Sequence, residues 1–73
     1  MAKIGIFDSG VGGLSVFREI CKVLPEESYI YYSDSANCPY GEKTVEFIIG
    51  RCREITEFLL RNGADIIVVA CNT

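Results

Sequence analysis

Three residues whose side chains can do chemistry stand directly after an apolar run at the end of the sequence. Cys71, Asn72 and Thr73 follow Ile66–Ala70, a run that is typical of a buried strand. In an open parallel α/β sheet, ligands and catalytic groups are held at the carboxyl ends of the strands. A thiol becomes a base or nucleophile when its pKa is lowered by positive charge or a helix N-terminus. Cys71 as an inert core residue is the alternative, but its hydrogen-bonding neighbours favour a functional thiol.

A second candidate is the glycine-rich turn over residues 8–13, which reads Asp-Ser-Gly-Val-Gly-Gly. Glycines let the backbone turn sharply and approach a ligand, and the following helix start offers N–H groups to an anion. A turn that needs glycine only for its backbone angles fits these residues equally well. The G-x-G-G spacing departs from the dinucleotide fingerprint, and Asp8 would repel a pyrophosphate. A ligand with both an ammonium and a carboxylate suits the turn better, with Asp8 facing the cation.

A third candidate is the polar loop over residues 34–41, which contains Tyr40 and Gly41. A simple turn is the alternative, although a loop after the second strand opens on the same sheet edge as the other two motifs. Asp34 is as suited to bracing this loop as to contacting a ligand, and Cys38 is expected to be a passive loop thiol. No metal site is expected, because the candidate ligands lack paired spacing. Those ligands are Asp8, Asp34, Cys38 and Cys71.

The elements that must position these groups follow from the hydrophobic periodicity, which predicts β-α-β-α-β. The expected strands cover residues 3–7, 28–33 and 65–70, and the expected helices cover residues 14–24 and 45–62, the second capped by Thr44. Right-handed crossovers and an edge-like second strand give the strand order 2-1-3. We therefore predict an α/β fold, a three-stranded parallel sheet with helices on both faces, as a partial flavodoxin- or Rossmann-like domain. Asp8 and Cys71 would then face each other across a topological switch point.

Composition narrows the function classes. The 73 residues form one domain at most, and 49% hydrophobic with 23% charged residues is globular. A net charge of −3 without a basic cluster argues against nucleic acid as a partner. The first apolar stretch is too short for a secretion signal or a membrane span, so we expect a cytoplasmic protein with reduced thiols. Because the sequence has no histidine, proton chemistry falls to thiol, carboxylate or tyrosine.

Three segments in register resemble the glutamate racemase family. They are Ile-Gly-Ile-Phe-Asp-Ser-Gly-Val-Gly-Gly-Leu at 4–14, Asp34 with Pro-Tyr-Gly at 39–41, and Ala-Cys-Asn-Thr at 70–73. Their order and spacing agree over the whole chain, and together they are highly specific. Ser33 is a minor departure, since another small residue such as glycine or alanine is expected there.

The resemblance implies a cytoplasmic, cofactor-independent isomerase that interconverts L- and D-glutamate for peptidoglycan synthesis. Two thiols would serve opposite faces of the α-carbon, and Cys71 would be one of them, with Asp8 contacting the substrate ammonium and influencing the thiol's protonation. By the same resemblance, the substrate-binding residues are Asp8, Ser9, Tyr40, Gly41, Asn72 and Thr73. The implied partner is small-molecule glutamate, with no membrane and no nucleic acid, and a homodimer of the full-length protein stays open.

Length is the main departure from the family. We expect residues 1–73 to be the N-terminal part of the first α/β domain of a two-domain racemase, with the second domain and its thiol absent. The chain alone is therefore expected to be inactive. An aspartate racemase-like enzyme, a flavodoxin-like module that binds a nucleotide or anion without catalysis, and an incomplete copy without function are the alternatives. Pyridoxal phosphate chemistry is disfavoured, because no lysine lies at a predicted strand end.

Overall fold

The computed structural model describes residues 1–10, 12–38 and 40–70, and within them it contains three strands and two helices. Short 3-10 turns at Ser35–Asn37 and Tyr40–Glu42 lie in the predicted polar loop over residues 34–41 and extend one residue beyond it. The strands and helices in chain order are β1 (Lys3–Asp8), α1 (Gly13–Val23), β2 (Ser28–Ser33), α2 (Val45–Arg61) and β3 (Ile66–Val69). The predicted β-α-β-α-β order is confirmed, with boundaries close to the expected ones.

The sheet has the strand order β2-β1-β3, and both pairs of neighbours are parallel. Ile6 of β1 lies opposite Tyr31 of β2 and opposite Val68 of β3. The predicted order 2-1-3 is therefore confirmed. Since all three strands run in one direction, their carboxyl ends lie at one edge of the sheet.

The two helices cover opposite faces of this sheet. Phe17 of α1 packs on Tyr29 and Tyr31, with ring centroids 5.5 and 5.4 Å away. On the other face, Tyr32 makes an edge contact with Phe58 of α2 at 5.4 Å. Successive residues of a strand point to opposite faces of the sheet. Tyr29 and Tyr31 therefore contact α1, whereas Tyr32 contacts α2 on the other face.

The main core lies between the sheet and α2. Its buried members are Phe7, Tyr40, Ile55, Leu59 and Ala64. The helix starts where expected because the Thr44 hydroxyl accepts a hydrogen bond from the Phe47 N–H at 3.1 Å. Among the described members of this core, only Tyr40 comes from the polar loop, and it ties that loop to the sheet.

The third strand is more exposed than its apolar sequence suggests. Ile66 is 51% and Val69 59% exposed, although an unbroken apolar run is typical of a parallel strand covered on both faces. In the described part of the chain, β3 pairs only with β1. No helix in this part of the chain is long and apolar enough to cross a membrane.

Candidate functional site at the carboxyl edge of the sheet

The ends of β1 and β2 and their loops form one polar cluster. The Ser33 hydroxyl lies 3.2 Å from both the Asp8 Oδ1 and the Gly10 carbonyl oxygen, each in hydrogen-bonding geometry. A methyl group added at Gly10 would lie only 2.7 Å from the Cys38 Cβ, so the glycine turn is in close contact with the second loop. The structure thus brings together the glycine turn and the polar loop after β2, the second and third motifs predicted from the sequence.

Asp8 is buried at the centre of this cluster, with 1% of its surface exposed. Its Oδ1 accepts from the Gly10 N–H at 2.6 Å as well as from Ser33, and its Oδ2 accepts from the Gly13 N–H at 2.9 Å. The Tyr31 hydroxyl also donates to Oδ2. Burial by itself raises the pKa of Asp8, but these four hydrogen bonds together lower the pKa below its usual value. The carboxylate is therefore ionised at neutral pH.

The surroundings of Asp8 make it an anchor of the glycine turn. A carboxylate has about four acceptor positions, and four donors from the protein occupy them here. A ligand ammonium that contacts Asp8 directly would have to share or displace one of these donors. Burial and the neighbouring Asp8 carboxylate raise the pKa of Tyr31 to about 12, so its hydroxyl keeps its proton and acts as a donor. The predicted contact between Asp8 and a substrate stays a prediction.

Asp34 is the second buried carboxylate of this edge, with 4% of its surface exposed. It accepts from Arg51 Nε at 2.9 Å and Arg51 Nη2 at 2.8 Å, and from Asn37 Nδ2 at 3.0 Å. The Tyr40 hydroxyl donates to it as well. Burial alone raises the pKa of Asp34, yet these hydrogen bonds and the positive charge of Arg51 lower the pKa to about 2. Of the two roles open to Asp34 in the sequence, the structure shows the bracing of the loop.

Tyr40 turns its side chain away from solvent. It is 2% exposed, its ring makes an edge contact with Phe7 at 6.4 Å, and its hydroxyl is engaged by Asp34. Burial and the Asp34 carboxylate raise the pKa of Tyr40 well above its usual value. The neighbouring Gly41 is exposed. Any contact of this segment with a ligand therefore has to come from its backbone.

The remaining predicted site residues divide into two groups. Ser9 lies half-buried directly after β1, at the same edge as Asp8. Cys71, Asn72 and Thr73 lie outside the described residues, so the predicted approach of the thiol to Asp8 stays a prediction. The residue before them is described: the Ala70 N–H donates to the Phe7 carbonyl oxygen at 2.8 Å. The backbone thus continues beside β1 for one residue past the end of β3, as far as Ala70.

Three residues of the cluster were not expected from the sequence: Tyr31, Ser33 and Arg51. Tyr31 and Ser33 belong to β2, where side-chain alternation can indicate the face of the sheet that a residue occupies but not its hydrogen-bond partner. Arg51 lies on α2, and nothing in its spacing indicates which acidic residue it pairs with. The sequence points to Arg51 only indirectly: a buried aspartate needs a compensating cation, and Arg51 is one of the cations available. Among the described residues, no group of three or more Cys, Asp and Glu side chains is placed to bind a metal ion.

These observations define an α/β protein with a parallel sheet and a polar site at its carboxyl edge. Over 72 residues, 99% of its length, the chain is 60% identical to the glutamate racemase of Ectopseudomonas mendocina, 58% to that of Pseudomonas aeruginosa and 54% to that of Clostridium perfringens. Over this segment the chain is similar to proteins named glutamate racemase. It spans only about a quarter of these relatives, 27% or 28% of each. No family model and no solved structure matches the sequence.

Proposed function

We propose that residues 1–73 are the N-terminal part of the first α/β domain of a glutamate racemase. The complete enzyme interconverts L- and D-glutamate without a cofactor and supplies D-glutamate for peptidoglycan. The observation that carries the proposal is the convergence of the Asp8 and Tyr40 motifs at one sheet edge, in a chain 54–60% identical to proteins named glutamate racemase. The buried negative charge of Asp8 at the glycine turn disfavours the nucleotide-binding alternative.

In this proposal Cys71 exchanges a proton with the α-carbon of glutamate. As a thiolate it removes the α-proton from one face, and the electron pair left on carbon takes a proton from a second thiol on the opposite face. In the reverse direction the two thiols exchange roles. The second thiol belongs to a domain beyond residue 73, so the 73-residue chain by itself carries half of the acid and base pair.

The other residues of the edge bind the substrate in this proposal. Asp8 attracts the substrate ammonium by its charge and influences the protonation of Cys71. Ser9, Asn72 and Thr73, together with the backbone of Tyr40 and Gly41, bind the carboxylates and the ammonium. Support comes from Ala70, which lies next to Cys71 in the sequence and is hydrogen-bonded to Phe7, the neighbour of Asp8.

A hybrid enzyme tests the proposal. Residues 1–73 replace the matching segment of the Pseudomonas aeruginosa relative, and chiral chromatography measures D-glutamate formed from L-glutamate. We expect turnover, together with incorporation of solvent deuterium at the α-carbon in ²H₂O. Cys71→Ser should abolish both, whereas Cys21→Ser, a change on α1, should leave both intact. A folded hybrid without turnover, or full turnover in Cys71→Ser, would overturn the proposal.

The 73-residue chain provides two further measurements. With L-glutamate it should form no D-glutamate above a control without protein, and accumulation would refute the need for a second thiol. Isothermal titration with nucleotides distinguishes the binding-module alternative, because micromolar or tighter nucleotide binding would favour that alternative.

A further inference from the structure

An ion pair between half-buried Arg51 and buried Asp34 joins α2 to the loop that carries Tyr40 and Gly41. Arg51 donates two hydrogen bonds to the Asp34 carboxylate, at 2.9 and 2.8 Å. The side chains are 20% and 4% exposed, respectively. A planar guanidinium fits a carboxylate through two parallel hydrogen bonds, so this pair determines the orientation of Asp34 as well as balancing its charge.

Asp34 in turn determines the path of the loop. Its side chain accepts from the Tyr40 hydroxyl and from Asn37 Nδ2, and its carbonyl oxygen accepts from the Asn37 N–H at 3.1 Å. Its own N–H donates to the Asp8 carbonyl oxygen at 3.0 Å. Arg51 therefore acts on both loops of the edge through one carboxylate, although its own guanidinium lies on α2.

We propose that Arg51 is a positioning residue for substrate binding. Through Asp34 it holds Tyr40 in its inward orientation, and this leaves the backbone at Tyr40 and Gly41 facing the substrate carboxylate. The proposal rests on the function proposed above, because it takes an amino acid as the ligand. Arg51 itself touches no reacting atom in this scheme, so its loss should weaken substrate binding more than the proton transfer.

A purely stabilising ion pair is the competing explanation, and the test has to separate the two. The hybrid enzyme is compared with its Arg51→Met and Arg51→Lys variants. Two controls lie on the same helix: Arg53→Met removes an exposed arginine, and Ile55→Val removes a methyl group from a residue that is 1% exposed. The second control lowers stability without touching the ion pair.

We expect Arg51→Met to raise the KM for glutamate about tenfold or more while kcat changes less than about threefold, the pattern of lost ground-state and transition-state binding. The KM of Arg51→Lys should lie between those of the parent hybrid and Arg51→Met, because an ammonium keeps the charge but not the paired hydrogen bonds. Both controls should keep KM within about twofold of the parent hybrid. An unchanged KM in Arg51→Met, or an equal rise in Ile55→Val, would overturn the proposal.

Amide hydrogen exchange gives a readout that does not depend on activity. In the 73-residue chain, Arg51→Met should speed exchange at residues 35–38 and 40–43 while residues 4–7 of β1 stay protected. If the loop amides of Arg51→Met exchange at the same rate as those of the unsubstituted chain, the positioning role is refuted. If the parent hybrid fails to racemise glutamate, the proposed function fails, and the exchange data alone decide whether Arg51 orders the loop.

Discussion

The Asp34 N–H donates to the Asp8 carbonyl oxygen at 3.0 Å, so the loops after β1 and β2 are joined at the residues that carry the two buried carboxylates of the described chain. Each carboxylate has its own set of donors and a lowered pKa. The edge therefore keeps two negative charges at neutral pH without direct exposure to water. Changes at either set of donors should affect the other loop through this shared backbone contact.

Tyr31→Phe should destabilise the chain through the loss of one donor to Asp8. A hydrogen bond to a charged group contributes about 1.5–3 kcal/mol, and Phe preserves the ring contact with Phe17. The free energy of unfolding, measured by urea denaturation at pH 7, should fall by about this amount.

Tyr29→Phe is the matched control for Tyr31→Phe. Tyr29 lies on the same strand and packs on the same Phe17 ring, but its hydroxyl donates to the neutral Leu24 carbonyl oxygen. Its loss should cost less than the loss at Tyr31, because an exposed hydrogen bond to a neutral acceptor contributes less than a hydrogen bond to a charged group. Equal losses in the two variants would contradict a special contribution from the Asp8 charge.

The titration of Asp34 should be visible at low pH. The folded-state pKa of about 2 lies below the usual 3.8, so the unfolded chain binds a proton first as the pH falls. The contribution of Asp34 to stability is therefore complete above about pH 4 and is lost toward pH 2. Carbon-13 NMR of the Asp34 carboxyl group should show a midpoint near the lower value, and urea midpoints should decrease over the same interval.

Arg51→Met provides the contrast for this titration. Without the guanidinium, burial of Asp34 is less compensated, and the carboxyl midpoint should move upward toward or beyond 3.8. A midpoint that stays near 2 in the variant would show that Tyr40 and Asn37 suffice to lower the pKa. A midpoint near 3.8 in the unsubstituted chain would refute the lowered pKa altogether.

Much of the fold could be predicted because local signals agree with it. Thr44 is a good N-cap residue and does cap α2, and the strand order follows from crossover handedness and the edge-like composition of β2. Side-chain alternation along a strand places Tyr31 and Tyr32 on opposite faces, and their contacts with Phe17 and Phe58 agree with this. These features depend on periods of two and 3.6 residues, which the sequence displays directly.

The polar contacts of the site could not be predicted in the same way. Arg51 pairs with a residue 17 positions earlier in the chain, and Tyr31 donates across 23 positions. Such pairs depend on register and on side-chain length, for which no periodic pattern exists. Ser33 illustrates the difference: the sequence marked it as a departure, whereas the structure makes it a donor to Asp8.

The exposed apolar strand β3 should make the 73-residue chain associate with itself. In the residues that the structure describes, one edge of β3 has no neighbouring strand, and such an edge is a template for pairing with another chain. Ile66 and Val69 add apolar surface. Ile66→Lys combined with Val69→Lys should shift the population toward monomer in sedimentation velocity runs.

Val23→Lys tests another exposed apolar surface of the same chain. Val23 is 76% exposed at the end of α1 and lines a groove of about 500 Å³ along that helix. Lysine is well placed at a helix C-terminus, so this change should not harm the fold. If Val23→Lys produces monomer and the β3 variant does not, the association runs through α1 and the strand-edge explanation is wrong.

Gly13→Ala should destabilise the chain for a steric reason alone. A methyl group at Gly13 would lie 2.2 Å from the Asp8 Oδ2 and 2.5 Å from the Asp8 Cβ. Gly13 begins α1, and its φ is not positive, so alanine meets no backbone penalty there. The clash with a buried carboxylate should cost about 1–3 kcal/mol in urea unfolding, the range for overpacking.

Gly50→Ala is the matched control, because it makes the same chemical change in the other helix. Among the described residues, no atom apart from the chain neighbours of Gly50 and the local backbone of α2 lies within 4 Å of the added methyl group. Glycine within a helix is about 0.8–1 kcal/mol less favourable than alanine. Gly50→Ala should therefore stabilise the chain while Gly13→Ala destabilises it. Stabilisation by both changes would mean that Asp8 can move away from Gly13, and its role as the anchor of the glycine turn would have to be abandoned.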